Sequence, residues 1–581
     1  MASHREECAE EERTPATEGA SWFVDGTDEA GIDFQHVVGP LGTYFMPESI
    51  GAGGALFDYD GDGDLDLLLI NSGPSPRTTR SFPPGTRTES RLFRQRNNGV
   101  FEDVTAASGL EARGYGHGCA VGDVDNDGDV DVYITNYGPD RLYENNGDGT
   151  WTDVSDLAGI HDQDWSTGAV FFDYDRDGWL DLLVANYTED PNYDHSIACG
   201  FADGRVSYCG PLKFRPTVDR LYRNTGGDSA EGGHASVRFV EVTSAAGLES
   251  MQTYGFAALA GDVDGDGWPD GYVASDARPN PLWINQRNGA FRDEAAQRGG
   301  DMNRGEGRPQ GSMGAVLADI DGDLDLDFVI SNLASEGASV FRNETGLFTE
   351  ASREANLKEP TRPHTGWGLA LIDLDHDGDL DLPLVNGRVV PCSPHSLRPF
   401  APHGEEIFFV RNDVIDDPAA FWREYADENQ LFLNRGDGVF DEATTHRGDL
   451  GAAVGSARAL IYGDVDQDGD LDLVVTNCGG RARLYRNEAP KAGGWLHVRL
   501  IDTLGQRDAY GAEVRLHAAG RTLLRLLNPA GGYLGSNDPR LHFGLGTTDA
   551  FDAIDVRWPD GTHEQFSGGA ANRLVVLRRG E

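Results

Sequence analysis

The chain has 581 residues, with 48 basic against 97 acidic side chains and a formal charge of −49. That length allows two or more domains. The charge repels nucleic acid and anionic lipid, so neither is expected as a partner. Hydrophobic residues make up 39%, which argues for a folded protein rather than an acidic disordered one, and 76 glycines suit a turn-rich, all-β chain.

Residues 1–21 read as a disordered acidic N-terminus without an apolar signal core. No run approaches the roughly 18 apolar residues needed to span a bilayer, so no membrane insertion is expected. With a native start at Met1 the chain would be cytoplasmic. The strand-like FVDGTDEAGI from Phe23 comes next, and then the dominant motif of the chain: an acidic loop D-x-D-x-D-G-x-x-D running into an apolar segment.

That motif occurs seven times. Its acidic and loop positions are Asp58, Asp60, Asp62, Asp64 and Asp66 in the first copy, and Asp123, Asp125, Asp127, Asp129 and Asp131 in the second. The third has Asp173, Asp175, Asp177, Trp179 and Asp181, and the fourth Asp262, Asp264, Asp266, Trp268 and Asp270. Asp319, Asp321, Asp323, Asp325 and Asp327 form the fifth, and Asp373, Asp375, Asp377, Asp379 and Asp381 the sixth. Asp464, Asp466, Asp468, Asp470 and Asp472 form the seventh.

Carboxylates at positions 1, 3, 5 and 9, with the backbone carbonyl of position 7, make a cage of hard oxygen ligands. Such a cage suits Ca²⁺; Mg²⁺ is the alternative, though it holds its own waters tightly and rarely fills such a cage. About seven Ca²⁺ ions are therefore expected as cofactors. No cysteine lies in any loop, and His376, at position 4, is expected to point outward, so zinc is not expected there. An EF-hand needs Glu at position 12, but here that position is Leu69, Ile134, Val184, Val273, Ile330, Leu384 and Val475, which reads as strand–loop–strand. Leu324 replaces the glycine expected at position 6, where a positive φ is needed. The 319–327 site is therefore expected to be the weakest.

Each loop is followed by a second repeated element (RLYEN at 141–145, RLYRN at 220–224) and, in six of seven units, by a third (WTDVS at Trp151, FVEVT at Phe239). The seventh unit lacks the third element, and FVDGTDEAGI can supply it from the other end of the chain. The predicted fold is all-β: a seven-bladed β-propeller over residues 22–488, closed by its N-terminal strand, with four short strands per blade. Stretches 187–219 and 387–429 read as loops on one face. Within the first, Cys199 and Cys209 either pair or stand as free loop thiols. Residues 492–581 alternate apolar and polar and read as an antiparallel β-sandwich of about six strands. Its His497 and His542 read as packed or surface residues.

Six residues before each first Asp stand Ala52, His117, Thr167, Phe256, Met313, Trp367 and Arg458, in a frame of small residues. They form either a ring around an axial pocket or packing between blades. Glu48 and His36 can join His117, Arg458 and Trp367 as candidate catalytic residues, acting as an acid/base set.

The repeats resemble FG-GAP/VCBS repeats, the blades of integrin-α-type propellers. The tail segments WLHVRLIDTLGQRDAYGAEVRL, GGYLGSNDPRLHFGLG and VRWPDGTHEQF resemble the ASPIC/UnbV domain. Propeller plus tail is similar to the CRTAC1-like (cartilage-acidic-protein-like) family, with members in bacterial gene clusters. The resemblance implies calcium binding and an extracellular or periplasmic location. Three functions follow: a calcium-stabilised module binding a protein, glycan or small molecule on a propeller face; an enzyme of small-molecule biosynthesis with its pocket on the axis; or an adhesive structural protein.

Overall fold

A computed structural model describes residues 21–581 apart from 40–43, 74–84, 98, 111, 162, 190–194, 201–204, 227–236, 300–308, 393–406, 409–417 and 504. The expected disordered N-terminus lies outside the described residues except for Ser21.

Seven sheets carry four antiparallel strands each, and the first takes a fifth, parallel strand, Gly535–Ser536. The second is typical: Gly116–Gly122, Asp131–Asn136, Arg141–Asn145 and Trp151–Asp153, in that order. The first strand of each sheet packs on the first strand of the next, and Ala457–Gly463 of the seventh returns to Gly54–Phe57 of the first, so the sheets form a closed ring. The outer strand of the seventh sheet is Phe23–Asp25, paired with Arg483–Asn487 in the register Phe23↔Asn487. N- and C-terminal segments of the ring thus share one sheet, which leaves no unpaired seam.

First and second strands are buried on both sides, which explains their continuous apolar runs. Outer strands alternate. Each buries one aromatic (Phe23, Phe101, Trp151, Phe239, Phe291, Phe348 or Phe440) and exposes the residue after it. The asparagine closing the third strand couples adjacent sheets. Asn145 Nδ2 donates to Tyr59 O at 2.7 Å, and Asn224, Asn285, Asn343, Asn434 and Asn487 each reach the acidic loop of the preceding sheet in the same way.

The described parts of stretches 187–219 and 387–429 carry regular structure in place of the expected loops. Ala198–Gly200 pairs with Val206–Tyr208 and with Ile407–Phe408, so the two insertions share a three-stranded sheet. Pro418–Arg423 is helical. Cross-pairing satisfies backbone groups that either excursion alone would leave unbonded. Cys199 and Cys209 form a disulfide.

The C-terminal domain has two four-stranded sheets. Arg521–Leu526, Glu513–Ala518, Ala550–Arg557 and His563–Ala570 are antiparallel throughout. In the other sheet Trp495–Asp502 pairs antiparallel with Leu541–Gly544 and Arg507–Asp508, but parallel with Arg573–Arg578. This last strand departs from the wholly antiparallel expectation, because the chain crosses back over the domain before pairing. One apolar cluster joins Val514, Phe543 and Trp558 to Tyr133 and Phe171 of the ring, so the domain is packed onto the propeller.

Candidate metal centres and the filled channel

Each acidic loop folds on its own carboxylates. The position-1 Asp accepts the N–H of position 6, as in Gly63 to Asp58 (3.0 Å), Gly128 to Asp123 (2.9 Å) and Gly267 to Asp262 (2.8 Å). The position-5 Asp accepts the N–H of position 7, as in Trp179 to Asp177 (3.1 Å) and Trp268 to Asp266 (2.8 Å). The buried position-9 Asp bridges the loop and the third strand: Asp131 accepts Val124 N–H and Asn145 N–H, both at 2.9 Å. Asp66, Asp181, Asp270, Asp327 and Asp381 repeat that pair of bonds.

After these bonds, oxygens at positions 1 and 3 are left over. Asp58 Oδ1, Asp60 Oδ1, Asp125 Oδ2, Asp175 Oδ1, Asp321 Oδ1, Asp373 Oδ1, Asp375 Oδ1 and Asp466 Oδ1 are buried without a hydrogen-bond donor. Carboxylates of Asp58, Asp60 and Asp62 converge within 4.8 Å, as do those of four further loops; these are five of the seven such groups among the described residues. Burial, reinforced by neighbouring carboxylates, pushes Asp66, Asp125 and Asp327 up to about 8 and Asp123 to about 6. A cluster of buried carboxylates with unused lone pairs is the chemistry of a hard-cation site, so the residues present fit calcium.

Leu324 has φ +74°, as its place at position 6 requires. Position 4 is also left-handed, at Asn126, Arg176, His376 and Gln467, a feature the motif alone did not expose. His376 does not point outward: it is 2% exposed, because the C-terminal domain covers it.

That domain caps the acidic-loop face with arginine. Arg507 Nε donates to Asn126 Oδ1 at 2.8 Å and its Nη2 to Gly178 O at 3.2 Å. Arg557 pairs with Asp262 and Arg521 with Asp379, while Arg540 reaches Asp464 O at 3.3 Å. Gly544 N–H donates to Asp373 Oδ2 at 2.8 Å. The acidic ring and the basic cap are complementary, a relation invisible while the tail is read as a separate domain.

The domain also sends the segment around NPAGGYLGSND into the channel. Gly532 bridges to Ala315, and Gly535–Ser536 pairs in parallel with Gly54 and Ala55. A Cβ on Gly53 would lie 1.6 Å from Leu534 O, and one on Gly168 or Gly368 would lie 2.4 Å from Phe256 O or Leu460 N of the next inner strand, which is why the frame is built of small residues. Tyr533, 0% exposed, donates to Ile50 O at 3.1 Å and packs edge-on to Trp367 and Phe256, with centroids at 5.0 and 5.7 Å. From the opposite face Phe45, Tyr137, Trp165 and Tyr187 fill the rest of the same cluster.

The candidate acid/base residues are brought together but sealed. Arg458 lies 4.0 Å over the Trp367 ring, with its Nε donating to Ser49 O at 2.9 Å. Trp367 Nε1 donates to Gly387 O at 2.7 Å. His117 Nε2 accepts from Trp165 Nε1 (3.1 Å), which leaves its Nδ1 facing Gly51 O (3.1 Å). His36 accepts Gly479 N–H at 3.2 Å, leaving Nε2 to Ser72 Oγ at 3.0 Å. Glu48 accepts Tyr208 OH at 3.0 Å. All five candidates are at most 3% exposed. Burial pushes His117 down to about 4 and, with His117 and Arg458 adding to it, His36 down to about 3, so both are poor general bases at neutral pH.

Comparison with known proteins agrees with this architecture. The FG-GAP-like repeat family matches residues 58–134, 123–184, 262–330, 319–382 and 412–475, and the ASPIC and UnbV family matches 502–581. Fold and loops therefore define an FG-GAP propeller protein with an ASPIC/UnbV domain. Cartilage acidic protein 1 of Mus musculus is 28% identical over 335 residues, covering 55% of this chain and 44% of that protein. The Homo sapiens protein is 26% identical over 353 residues, covering 58% and 46%. The chain thus matches under half the length of these relatives. Among solved structures, an Agrocybe aegerita lectin that recognises non-reducing terminal N-acetylglucosamine covers 74% of this chain and 85% of its own, at 13% identity and TM-score 0.37. The chain belongs to the CRTAC1-like family.

Proposed function

We propose that this protein is a calcium-stabilised binding module. The observation that carries the reading is the set of buried position-1 and position-3 carboxylate oxygens that lack any donor in six of the seven loops, with carboxylates converging in at least five. Asp58, Asp60, Asp62 and Asp66, with the carbonyl of Asp64, would hold one ion, and the other six loops would do the same through equivalent positions. Calcium supplies the positive charge that lets these carboxylates lie together in the ionised form. The acidic face is covered by the protein's own C-terminal domain, so a protein or glycan partner is assigned to the opposite face, where the two insertions share a sheet. Chelation with EGTA is expected to lower the melting temperature substantially. An unchanged melting curve would sink the reading.

The alternative, an enzyme of small-molecule biosynthesis, draws on one observation: the clustering of His36, Glu48, His117 and Arg458 beside Trp367. The aromatic filling of the axis and the bonds already made by both imidazoles work against it. Alanine at His117 or Arg458 should cost stability; loss of a turnover with folding intact would favour the enzyme.

A further inference from the structure

Docking of the C-terminal domain buries a second kind of ligand cluster. His376, from the sixth acidic loop, meets His542, which stands opposite His497 across Leu541–Gly544 and Trp495–Asp502. The three side chains are 2%, 3% and 6% exposed. Ring centroids lie 5.1 Å apart for His376 and His542, and 5.0 Å for His497 and His542. Both ring nitrogens of His497, both of His542 and Nε2 of His376 are buried with no hydrogen-bond partner. Two carboxylates of the seventh loop border them: Asp470 Oδ1 is 3.1 Å from His376 Nε2, and Asp464 Oδ2 is 3.3 Å from His497 Nε2.

Both nitrogens of His542 and Nδ1 of His497 are left with no partner at all, and each buried unpaired polar group is costly. Aliphatic side chains would fill the same space without that cost. Imidazole nitrogens beside carboxylates are the donor set of a borderline divalent metal, unlike the all-oxygen loops. Two imidazoles on one tetrahedral ion, each at about 2.1 Å, place their ring centroids roughly 5 Å apart. The observed separations match. Two cations neighbour the cluster: Lys491 Nζ is 2.8 Å from Asp470 Oδ2, and Arg525 Nε donates to His542 O at 3.3 Å with its guanidinium 5.3 Å over Phe543.

We propose that His542, with His376 and His497 and the Asp470 carboxylate, forms a zinc-class site that pins the C-terminal domain to the ring. The site does not depend on calcium in the acidic loops. The full chain, stripped of metal, would be dialysed against zinc chloride in excess calcium chloride, gel-filtered and assayed for both metals by mass spectrometry. One retained zinc per chain is expected, with two or more imidazoles in its X-ray absorption fine structure. The double variant His497→Gln, His542→Asn should lose at least about tenfold in zinc affinity while its calcium content stays unchanged. No retained zinc, an oxygen-only shell, or undiminished zinc in the double variant would overturn the assignment. If the variant fails to fold, the absorption spectrum of the unaltered chain decides.

Discussion

Tyr533→Ala removes the side chain on which channel filling turns. Tyr533 is fully buried and bonded to Ile50 O, with its ring edge-on to Trp367 and Phe256. Truncating a buried aromatic to alanine costs about 3–5 kcal/mol. About 1 kcal/mol of that belongs to the hydroxyl and is isolated by Tyr533→Phe. The rest is the ring's contacts and the hole it leaves among inner strands too small to close it. Guanidinium unfolding in saturating calcium, followed by both far-UV dichroism and tryptophan fluorescence, reads the loss. Because the plug ties the tail to the ring, both probes should shift together. An alanine variant within about 1 kcal/mol of the parent would refute the plug as a structural element.

Four other substitutions and conditions bear on the same account. Metal-free protein should lose stability as pH rises from roughly 4 towards 8: Asp66, Asp125 and Asp327 are raised to about 8, so the folded chain holds protons that the unfolded chain has already released. Calcium should flatten that slope, as thermal melts across the pH range would show. Leu324→Gly relieves a left-handed leucine and should add about 1 kcal/mol, with tighter calcium binding at that loop by titration calorimetry. Asn285→Ala leaves Tyr174 O unbonded at an inter-sheet seam and should cost about 1–3 kcal/mol in chemical denaturation. Arg557→Ala strands the buried Glu513 and Asp262 and should weaken docking of the tail, seen as faster proteolysis between residues 488 and 495.

The ring was legible because its unit repeats and because Phe23 supplies the strand that the seventh unit lacks. Leu324 was legible too, since position 6 demands a left-handed turn whatever occupies it. What stayed hidden was long-range. The small residues around Ala52 signalled crowding, but nothing local told that the atoms crowding Gly53 belong to Leu534, nearly five hundred residues on. His376 looked exposed because a loop position cannot announce that another domain will cover it. His497 and His542 looked like ordinary strand histidines for the same reason. Among the available signals, the third-strand asparagine recurred in six of the seven repeats, and its regularity hinted at the seam bond it makes.

Calcium in the acidic loops can be counted directly. The chelator-stripped full chain, equilibrated with calcium in a magnesium background and assayed by atomic spectrometry, should hold about seven ions per chain, one for each carboxylate cage. A chain that binds none, or exchanges what it holds freely for magnesium, would contradict the claim that these loops are calcium sites.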